Sequence, residues 1–235
     1  MVKPEDFDGP EGKYIVTTWD GARQRWTFRP VMGLPLLTDE EIAALGLMVP
    51  PQPVPTLAPP IPMSQTNSIW KADKLGTTSQ TIGGWGCAMV CAAMVYSQID
   101  PLMTPRGFNN VLTLNGGYNY LNGEAHLAWD RIPDSFPKLE WKGRADYSRR
   151  LTDAELLDVY AKIDAAPLIL WVDFRPATPG LDTHFVLAIA HADNDITIID
   201  PYGGDVVDLL DRYAQTGQDL QRAIWGYREL VVHLS

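Results

Sequence analysis

The residue with the clearest chemical potential is Cys87, which stands where a glycine-rich turn runs into an apolar helix (residues 83–95, GGWGCAMVCAAMV). The first backbone N–H groups of a helix are unpaired and lie at the positive end of its dipole, so they favour a thiolate over a thiol. The same turn lets the Cys87 N–H donate to an oxyanion that forms beside the sulfur. The pattern therefore predicts a cysteine nucleophile that attacks a carbonyl carbon.

A cysteine nucleophile needs a base and a third group that orients the base. Among the four histidines, His184 begins an otherwise apolar stretch, HFVL, which puts its ring at the rim of a predicted strand. Asp200 closes the next predicted strand, in IIDPYGG. Because the start of one antiparallel strand lies beside the end of its neighbour, His184 and Asp200 can meet. We expect Asp200 to fix the imidazole tautomer and to stabilise the imidazolium.

Each of these residues taken alone has a simpler structural interpretation. Cys87 fits a small buried residue under a glycine turn, His184 a hydrogen-bonded rim histidine, and Asp200 the start of a turn before proline. Their arrival together, each at the end of an element, favours the catalytic interpretation. Cys91 is predicted to be structural. Two cysteines four residues apart on a helix predict neither a disulfide nor a zinc site, so we expect no metal and no cofactor.

The elements that must position these residues predict an α+β domain, with helices first and strands later. One buried helix is expected from Cys87 to about Gln98, a second near Thr104-Pro105, and a third from Thr152, which forms a capping box with Glu155. Short runs rich in β-branched and aromatic residues predict the strands, at 167–174, 183–190, 196–199 and 227–234.

The N-terminal part of the chain has a different character. Residues 14–29 predict a hairpin with its turn at Asp20-Gly21, and Thr38 with Glu41 predicts a short capped helix after it. A proline-rich segment follows at 50–62, which predicts an extended spacer or an ordered arm on the main domain. The expected organisation is a small module at 1–48, a linker at 49–63 and the main domain at 64–235.

Charge and hydropathy exclude some classes of partner. The formal net charge is −10, which disfavours binding to nucleic acid or to an anionic membrane, because both need clustered Lys and Arg. No apolar run reaches the roughly 20 residues of a transmembrane helix, and the N-terminal residues lack the apolar core of a secretory signal. We expect the protein to stay where it is made, to leave by a route without a cleavable signal, or to travel with a virion.

A longer pattern around Cys87 resembles a known family. Its blocks are Gln65, Trp70, Leu75-Gly76, Thr81-Ile82-Gly83, Gly86-Cys87-Ala88 and Ala93-Met94. They are similar to the opening of papain-like cysteine peptidases of the bacteriocin-processing, double-glycine leader peptidase type, and above all to stand-alone relatives of these enzymes. The resemblance extends from about Gln65 to the C-terminus. It departs after Cys87, where many relatives have Gly-Pro-Thr-Ser and this chain has Ala-Met-Val-Cys.

The resemblance implies a papain-like fold, with the cysteine on a helical part and the histidine and aspartate on an antiparallel sheet. Cys87 then matches the nucleophile, His184 the general base and acid, and Asp200 the residue that orients His184. Gln65 matches the glutamine of the oxyanion hole, with Gln80 as the second choice. We expect Trp70 and Trp85 to line the substrate groove, while Trp129 fits either the groove or the core.

The leading expectation is a cysteine peptidase or amidase that cleaves a peptide bond, in a leader peptide or a peptidoglycan cross-bridge. The alternative is a structural or attachment component of a virion or secretion assembly, with a vestigial or delivery-coupled peptidase-like domain and an N-terminal module that docks to the larger assembly. Wall peptidases of the NlpC type and transglutaminases rank lower, because the first expect Asp-Cys-Ser-Gly around the cysteine and the second do not fit the Thr-Ile-Gly lead-in.

Overall fold

The computed structural model describes residues 15–20, 25–30, 57–192, 194–215 and 217–233. The chain divides into two compact units, Met1–Thr56 and Leu57–Ser235. In the first unit, β1 (Ile15–Asp20) and β2 (Arg25–Pro30) form the predicted antiparallel pair, with Ile15 opposite Pro30. The hairpin turn beyond Asp20 and the predicted helix after Thr38 lie outside the described residues.

The division between the units falls within the predicted linker, and the second half of that linker packs onto the second unit. The Ile61 N–H donates to the Ser97 hydroxyl at 2.8 Å, and the Met63 N–H donates to the Met94 sulfur at 3.3 Å. The Met63 side chain is buried. Residues 57–63 are therefore an ordered arm on the main domain, which is the second of the two interpretations that the proline-rich sequence allowed.

The second unit contains ten-residue and longer helices together with several single turns. The helices are α1 (Ile82–Trp85), α2 (Cys87–Tyr96), α3 (Pro105–Leu114), α4 (Ile132–Ser135), α5 (Asp153–Ala165), α6 (Leu209–Tyr213) and α7 (Leu220–Ala223), with a 3₁₀ turn at Trp129–Arg131. The predicted caps are present, since the Thr104 and Thr152 side chains accept from backbone N–H groups and Thr152 completes its capping box with Glu155. None of these described helices is long and apolar enough to cross a bilayer.

The strands of the second unit form a small hairpin and one large sheet. They are β3 (Tyr118–Leu121), β4 (Glu124–Leu127), β5 (Leu139–Asp146), β6 (Leu168–Asp173), β7 (Thr183–Ala192), β8 (Asp195–Asp200), β9 (Asp205–Asp208) and β10 (Ile224–Val232). The hairpin pairs β3 with β4, and the sheet has the order β5-β10-β6-β7-β8-β9 with every pair antiparallel. The predicted α+β class is confirmed.

Helices cover both faces of the large sheet, because its central strands are apolar on both sides. Helix α2 packs on one face, where residues 89–95 are all buried together with Ile169 and Leu187 of the sheet. Helices α5, α6 and α7 pack on the other face, against Leu170 and Val186 among others. The two cores lie on opposite sides of β6 and β7, so residues of α2 can reach the second face only past the ends of these strands.

Two predictions about this unit were incomplete. Helix α2 ends at Tyr96, not at about Gln98, and the Ser97 hydroxyl then donates to the Met94 carbonyl and closes the last turn. The segment 113–150, for which the sequence predicted no helix or strand, contains the β3–β4 hairpin, α4 and the edge strand β5. Its short, largely polar strands lack the apolar runs that identify the central strands.

Candidate active site

The sheet brings two of the predicted catalytic residues together. His184 is the second residue of β7 and Asp200 is the last residue of the neighbouring strand β8. The His184 Nε2 atom lies 3.0 Å from Asp200 Oδ1, and both residues are buried, at 4% and 0% exposure. The expectation that the start of one strand would meet the end of the next is confirmed in this geometry.

The third predicted residue, Cys87, approaches the same histidine from α2. Cys87 is the first residue of this helix and is half-buried, and its thiol is close enough to the His184 ring to raise the pKa of the imidazole. One turn further along, the Cys91 thiol donates to the Phe185 carbonyl at 3.5 Å, which holds α2 against the start of β7. Because Asp200 contacts Nε2, the other ring nitrogen, Nδ1, is the one that remains for the thiol.

The surroundings of His184 decide its protonation. Burial on its own would lower the pKa of the imidazole, but hydrogen bonds to Asp200 and Cys87, and the negative charges of both, raise it to about 9. At neutral pH the ring is therefore an imidazolium between a carboxylate and a sulfur. A histidine in this state has a proton ready to give to a leaving group.

Asp200 is held by more partners than the sequence indicated. Its Oδ1 accepts from the Tyr202 N–H at 2.9 Å as well as from His184, while Oδ2 accepts from the Tyr213 hydroxyl at 2.7 Å and pairs with Arg212 at 3.1 Å. Burial would raise the pKa of this carboxyl, but the hydrogen bonds from His184, Tyr213 and Tyr202 lower it below its ordinary value. Asp200 therefore stays ionised and fixed in orientation.

Aromatic side chains enclose the histidine–aspartate pair. The Phe174 ring centre lies 4.8 Å from that of His184, and the Tyr213 ring lies 5.4 Å from it. Tyr202 packs on the outer side of Phe174, at 5.1 Å. These rings keep water from the His184–Asp200 hydrogen bond, which strengthens it. Neither Tyr213 nor Phe174 was identified from sequence, since they lie in α6 and after β6 without a local motif.

The two candidate glutamines have different positions. Gln65 is 3% exposed, its N–H donates to the Pro201 carbonyl at 2.6 Å, and its side-chain Nε2 donates to the Gly83 carbonyl at 3.0 Å. It thus lies between the residue after Asp200 and the turn before Cys87. The Gln80 side chain instead accepts from the Ala125 N–H at 2.8 Å and is tied to the β3–β4 hairpin.

The three tryptophans considered for the groove also differ. Trp85 ends α1, two residues before Cys87, and is 61% exposed. Trp70 is half-buried against the core, and its indole N–H donates to the Ser64 carbonyl at 2.8 Å. Trp129 stacks on Trp141 at 5.9 Å and packs against the core. By position, Trp85 is the one whose ring is open to a ligand beside the cysteine.

Cys91 differs from Cys87 in its burial. It is fully buried, and burial raises the pKa of its thiol well above the ordinary value, with the negative charges of Cys87 and Asp200 adding to the effect. A thiol that is neutral and shielded from solvent is not a nucleophile. Cys91 therefore anchors α2 to β7.

Comparison with known proteins identifies no relative: no protein-family model, no curated protein and no solved structure matches this chain. Within the described residues, no group of three or more His, Cys, Asp or Glu side chains could hold a metal ion. The arrangement of Cys87, His184 and Asp200 must therefore be interpreted from its own chemistry. A thiol beside a buried imidazolium that is hydrogen-bonded to a buried carboxylate can carry out nucleophilic acyl transfer.

Proposed function

We propose that the second unit is a cysteine peptidase or amidase with a papain-like arrangement of Cys87, His184 and Asp200. The observation that carries the proposal is the convergence of Asp200 and Cys87 on the His184 imidazole, which contacts Asp200 through Nε2 and whose pKa the neighbouring Cys87 raises. The three residues come from α2, β7 and β8, and a purely structural role would not need all three at one ring. Peptide bonds in a leader peptide or a peptidoglycan cross-bridge are the proposed substrates.

The proposed reaction begins with the proton already on His184. That proton comes from the Cys87 thiol, so the sulfur attacks the carbonyl carbon as a thiolate, and its electron pair forms a C–S bond while the C=O pair moves onto oxygen. The imidazolium then gives its proton to the leaving amine as the C–N bond breaks, which leaves a thioester on Cys87. The neutral imidazole next takes a proton from water, and the resulting hydroxide attacks the thioester carbon. The C–S bond then breaks, its electron pair returns to the Cys87 sulfur, and the carboxyl product leaves while His184 is again protonated.

Gln65 and the Cys87 N–H are the proposed donors to the oxyanion. Cys87 is the first residue of α2, so its N–H has no partner in the hydrogen-bond ladder of the helix. Gln65 Nε2 carries two hydrogens and uses one on the Gly83 carbonyl, four residues before the nucleophile. The second hydrogen is free to meet the charge that develops on the substrate oxygen.

Asp200 acts as the positioning residue for the histidine. Because Tyr213, Tyr202 and Arg212 hold both of its oxygens, the carboxylate cannot turn away from Nε2. This arrangement keeps Nδ1 directed at Cys87 throughout the reaction. Trp85, which is exposed and two residues before Cys87, supports contact with an extended substrate on the helical side of the site.

The first experiment measures thiol reactivity at neutral pH. Iodoacetamide should modify Cys87 at least about 100-fold faster than the buried, uncharged Cys91, with the two sites resolved by peptide mass spectrometry. His184→Ala should slow the modification of Cys87, because the imidazolium that stabilises the thiolate is lost. Equal rates for the two cysteines, or a Cys87 rate that does not respond to His184→Ala, would contradict the proposal.

The second experiment measures hydrolysis of labelled peptides and of purified peptidoglycan. Cys87→Ala should abolish release of product, whereas the matched variant Cys91→Ala, on the same helix face, should retain it as long as the protein stays folded. A reactive Cys87 with no hydrolysis of any peptide or peptidoglycan substrate would favour the alternative, a component of a virion or secretion assembly with a vestigial domain.

A further inference from the structure

The buried carboxylate of the site has an arginine as its second cationic partner. The Arg212 Nη2 atom, in the last turn of α6, lies 3.1 Å from Asp200 Oδ2, while His184 Nε2 lies 3.0 Å from Asp200 Oδ1. Asp200 is 0% exposed, whereas the Arg212 side chain is 36% exposed. The carboxylate therefore has one cation at each oxygen. His184 can lose its proton, but arginine stays protonated in proteins.

The proposed reaction changes the charge on only one of these two cations. His184 is an imidazolium before it protonates the leaving amine and a neutral imidazole afterwards. If His184 were the only cationic partner, that proton transfer would leave the Asp200 carboxylate buried without a counter-charge, which is unfavourable in a protein interior. The Arg212 guanidinium keeps a positive charge beside Asp200 in both states. His184 therefore loses its proton more readily than it would without Arg212.

The other titratable groups that face the pair do not supply a positive charge. On α2, Cys87 can only add negative charge, and Cys91 stays a neutral thiol. The Tyr213 hydroxyl donates to Asp200 Oδ2 at 2.7 Å, and burial together with Asp200 raises the pKa of this hydroxyl, so it stays neutral. Among the described residues in contact with Asp200, Arg212 is thus the one whose positive charge is permanent.

A second carboxylate shares this arginine. Asp205, in the edge strand β9, lies 3.5 Å from the same Nη2 atom of Arg212, and its side chain is 57% exposed. Arg212 therefore stands between a buried carboxylate and an exposed one. A change of charge at Asp205 should reach His184 through Arg212 and Asp200.

We infer that Arg212 is a positioning residue of the site, which acts through Asp200 so that His184 can release its proton to the leaving amine. The inference rests on the proposed function, because it gives Arg212 a part in the proton transfer proposed there. Without Arg212, the imidazolium and the carboxylate compensate only each other, and the proton is held more tightly. The pKa of His184 should then be higher and the transfer to the leaving amine slower.

The test is an NMR titration of the labelled His184 ring in the Cys87→Ala background, where no thiol titrates beside the ring. Arg212→Gln should raise the pKa of His184 by at least about 0.5, because a nearby cation is lost at a partly exposed position. Arg212→Lys keeps the charge and should leave the pKa of His184 within about 0.2 of the background.

The matched control is Arg106→Gln, which makes the same change in net charge. Arg106 lies on α3, is 46% exposed and pairs with Asp73 at 2.6 Å, so it is also an arginine in a partly exposed ion pair. This control should leave the pKa of His184 within about 0.2. Three results would overturn the inference: no rise of this pKa in Arg212→Gln, an equal rise in Arg106→Gln, or a rise in Arg212→Lys as large as in Arg212→Gln.

A change at the surface tests the same inference without altering α6, and it decides the question if Arg212→Gln does not fold. Asp205→Asn leaves the Arg212 charge wholly to Asp200, so the pKa of His184 should fall by at least about 0.3. Asp211→Asn makes the same change in net charge at the exposed residue before Arg212 and should lower this pKa by less than about 0.1. Equal shifts in the two variants would contradict the sharing of Arg212.

The titration is separate from the hydrolase proposal, because it needs neither the thiol nor a substrate. The expected shift in Arg212→Gln, with no hydrolysis by the wild type, would retain the coupling of Arg212 to His184 and reject the peptidase. Hydrolysis by the wild type with no such shift would do the reverse. In an active protein with Cys87 intact, Arg212→Gln should slow the first-turnover release of the amine product about two- to threefold. An unchanged rate would contradict the assigned role.

Discussion

Replacing Asp200 with asparagine should lower the pKa of His184 by a measurable amount. Asp200→Asn keeps the shape of the side chain and removes its charge, while Tyr213 and Tyr202 can still donate to the amide oxygen. In the wild type, the pKa of His184 is raised from 6.5 to about 9 despite burial. That difference favours the imidazolium by about 3 kcal/mol.

The contacts of His184 set the size of the effect. Burial opposes the imidazolium, and two partners support it, each through a hydrogen bond and a negative charge: Asp200 and Cys87. Without the Asp200 carboxylate only Cys87 remains against burial, so the pKa should fall by at least about one, equivalent to about 1.4 kcal/mol. Cys87→Ala should lower the pKa of His184 as well, because it removes the other partner.

The assay is an NMR titration of the labelled His184 ring from neutral to alkaline pH. Asp164→Asn is the matched control, because Asp164 Oδ1 lies 3.1 Å from His191 Nε2, almost the distance of the His184–Asp200 pair. His191 is at the far end of β7 from His184, and the Asp164 side chain is 72% exposed. This control should leave the pKa of His184 unchanged. A pKa that stays near 9 in Asp200→Asn, or that falls equally in Asp164→Asn, would refute the assignment of Asp200 as the partner that holds the proton on His184.

Three further outcomes test the structure around the site. Tyr213→Phe should lower the free energy of unfolding in urea by about 1.5–3 kcal/mol, because it removes a hydrogen bond to the buried Asp200 carboxylate. The control Tyr227→Phe loses a hydrogen bond to the exposed Asp158 and should lower it by less than about 1 kcal/mol. Equal losses of stability in the two variants would contradict the burial argument. Gly86→Ala should reduce the alkylation rate of Cys87, since an added Cβ would lie 2.5 Å from the Ile82 carbonyl oxygen. The control Gly84→Ala should leave the rate unchanged, because its nearest contact would be 3.4 Å away. If Cys87 in Gly86→Ala is as reactive as in the wild type, the turn does not fix the position of the sulfur. The pKa of Glu155 is lowered to about 2 by hydrogen bonds from Arg149 and Thr152, so the stability that its carboxylate contributes is present above about pH 4.5 and is lost as the pH falls through about 2. Glu155→Gln should therefore destabilise the protein at neutral pH but not at about pH 2. A difference in the free energy of unfolding that stays constant between these pH values would contradict this.

The local elements of the second unit were largely predictable. Capping signals at Thr104 and Thr152 fixed the starts of α3 and α5, because an N-cap is decided by a few neighbouring residues. Apolar, β-branched runs identified the four central strands. The strands β3, β4, β5 and β9 were not predicted, because strands with exposed faces carry less hydrophobic signal than buried ones.

The residues of the candidate site could be predicted from sequence to about the same extent as the local elements. Cys87, His184 and Asp200 each lie at an element end that the sequence marks, and a single antiparallel pairing is enough to bring the last two together. Gln65 and Gln80 could not be separated on this basis. Their separation depends on contacts with Gly83 and with Ala125, which come from the packing of a loop and a hairpin far apart in the chain.

By itself the sequence determined a glycine turn that ends on a cysteine, a histidine at the head of an apolar strand and an aspartate at the close of the next, since such features depend on residues within one or two turns or strands. Only the tertiary structure decided that β10 lies between β5 and β6, and that Tyr213 and Arg212 hold Asp200. The physical reason is that alternation of apolar residues fixes which face of a strand is buried but not which strand lies beside it.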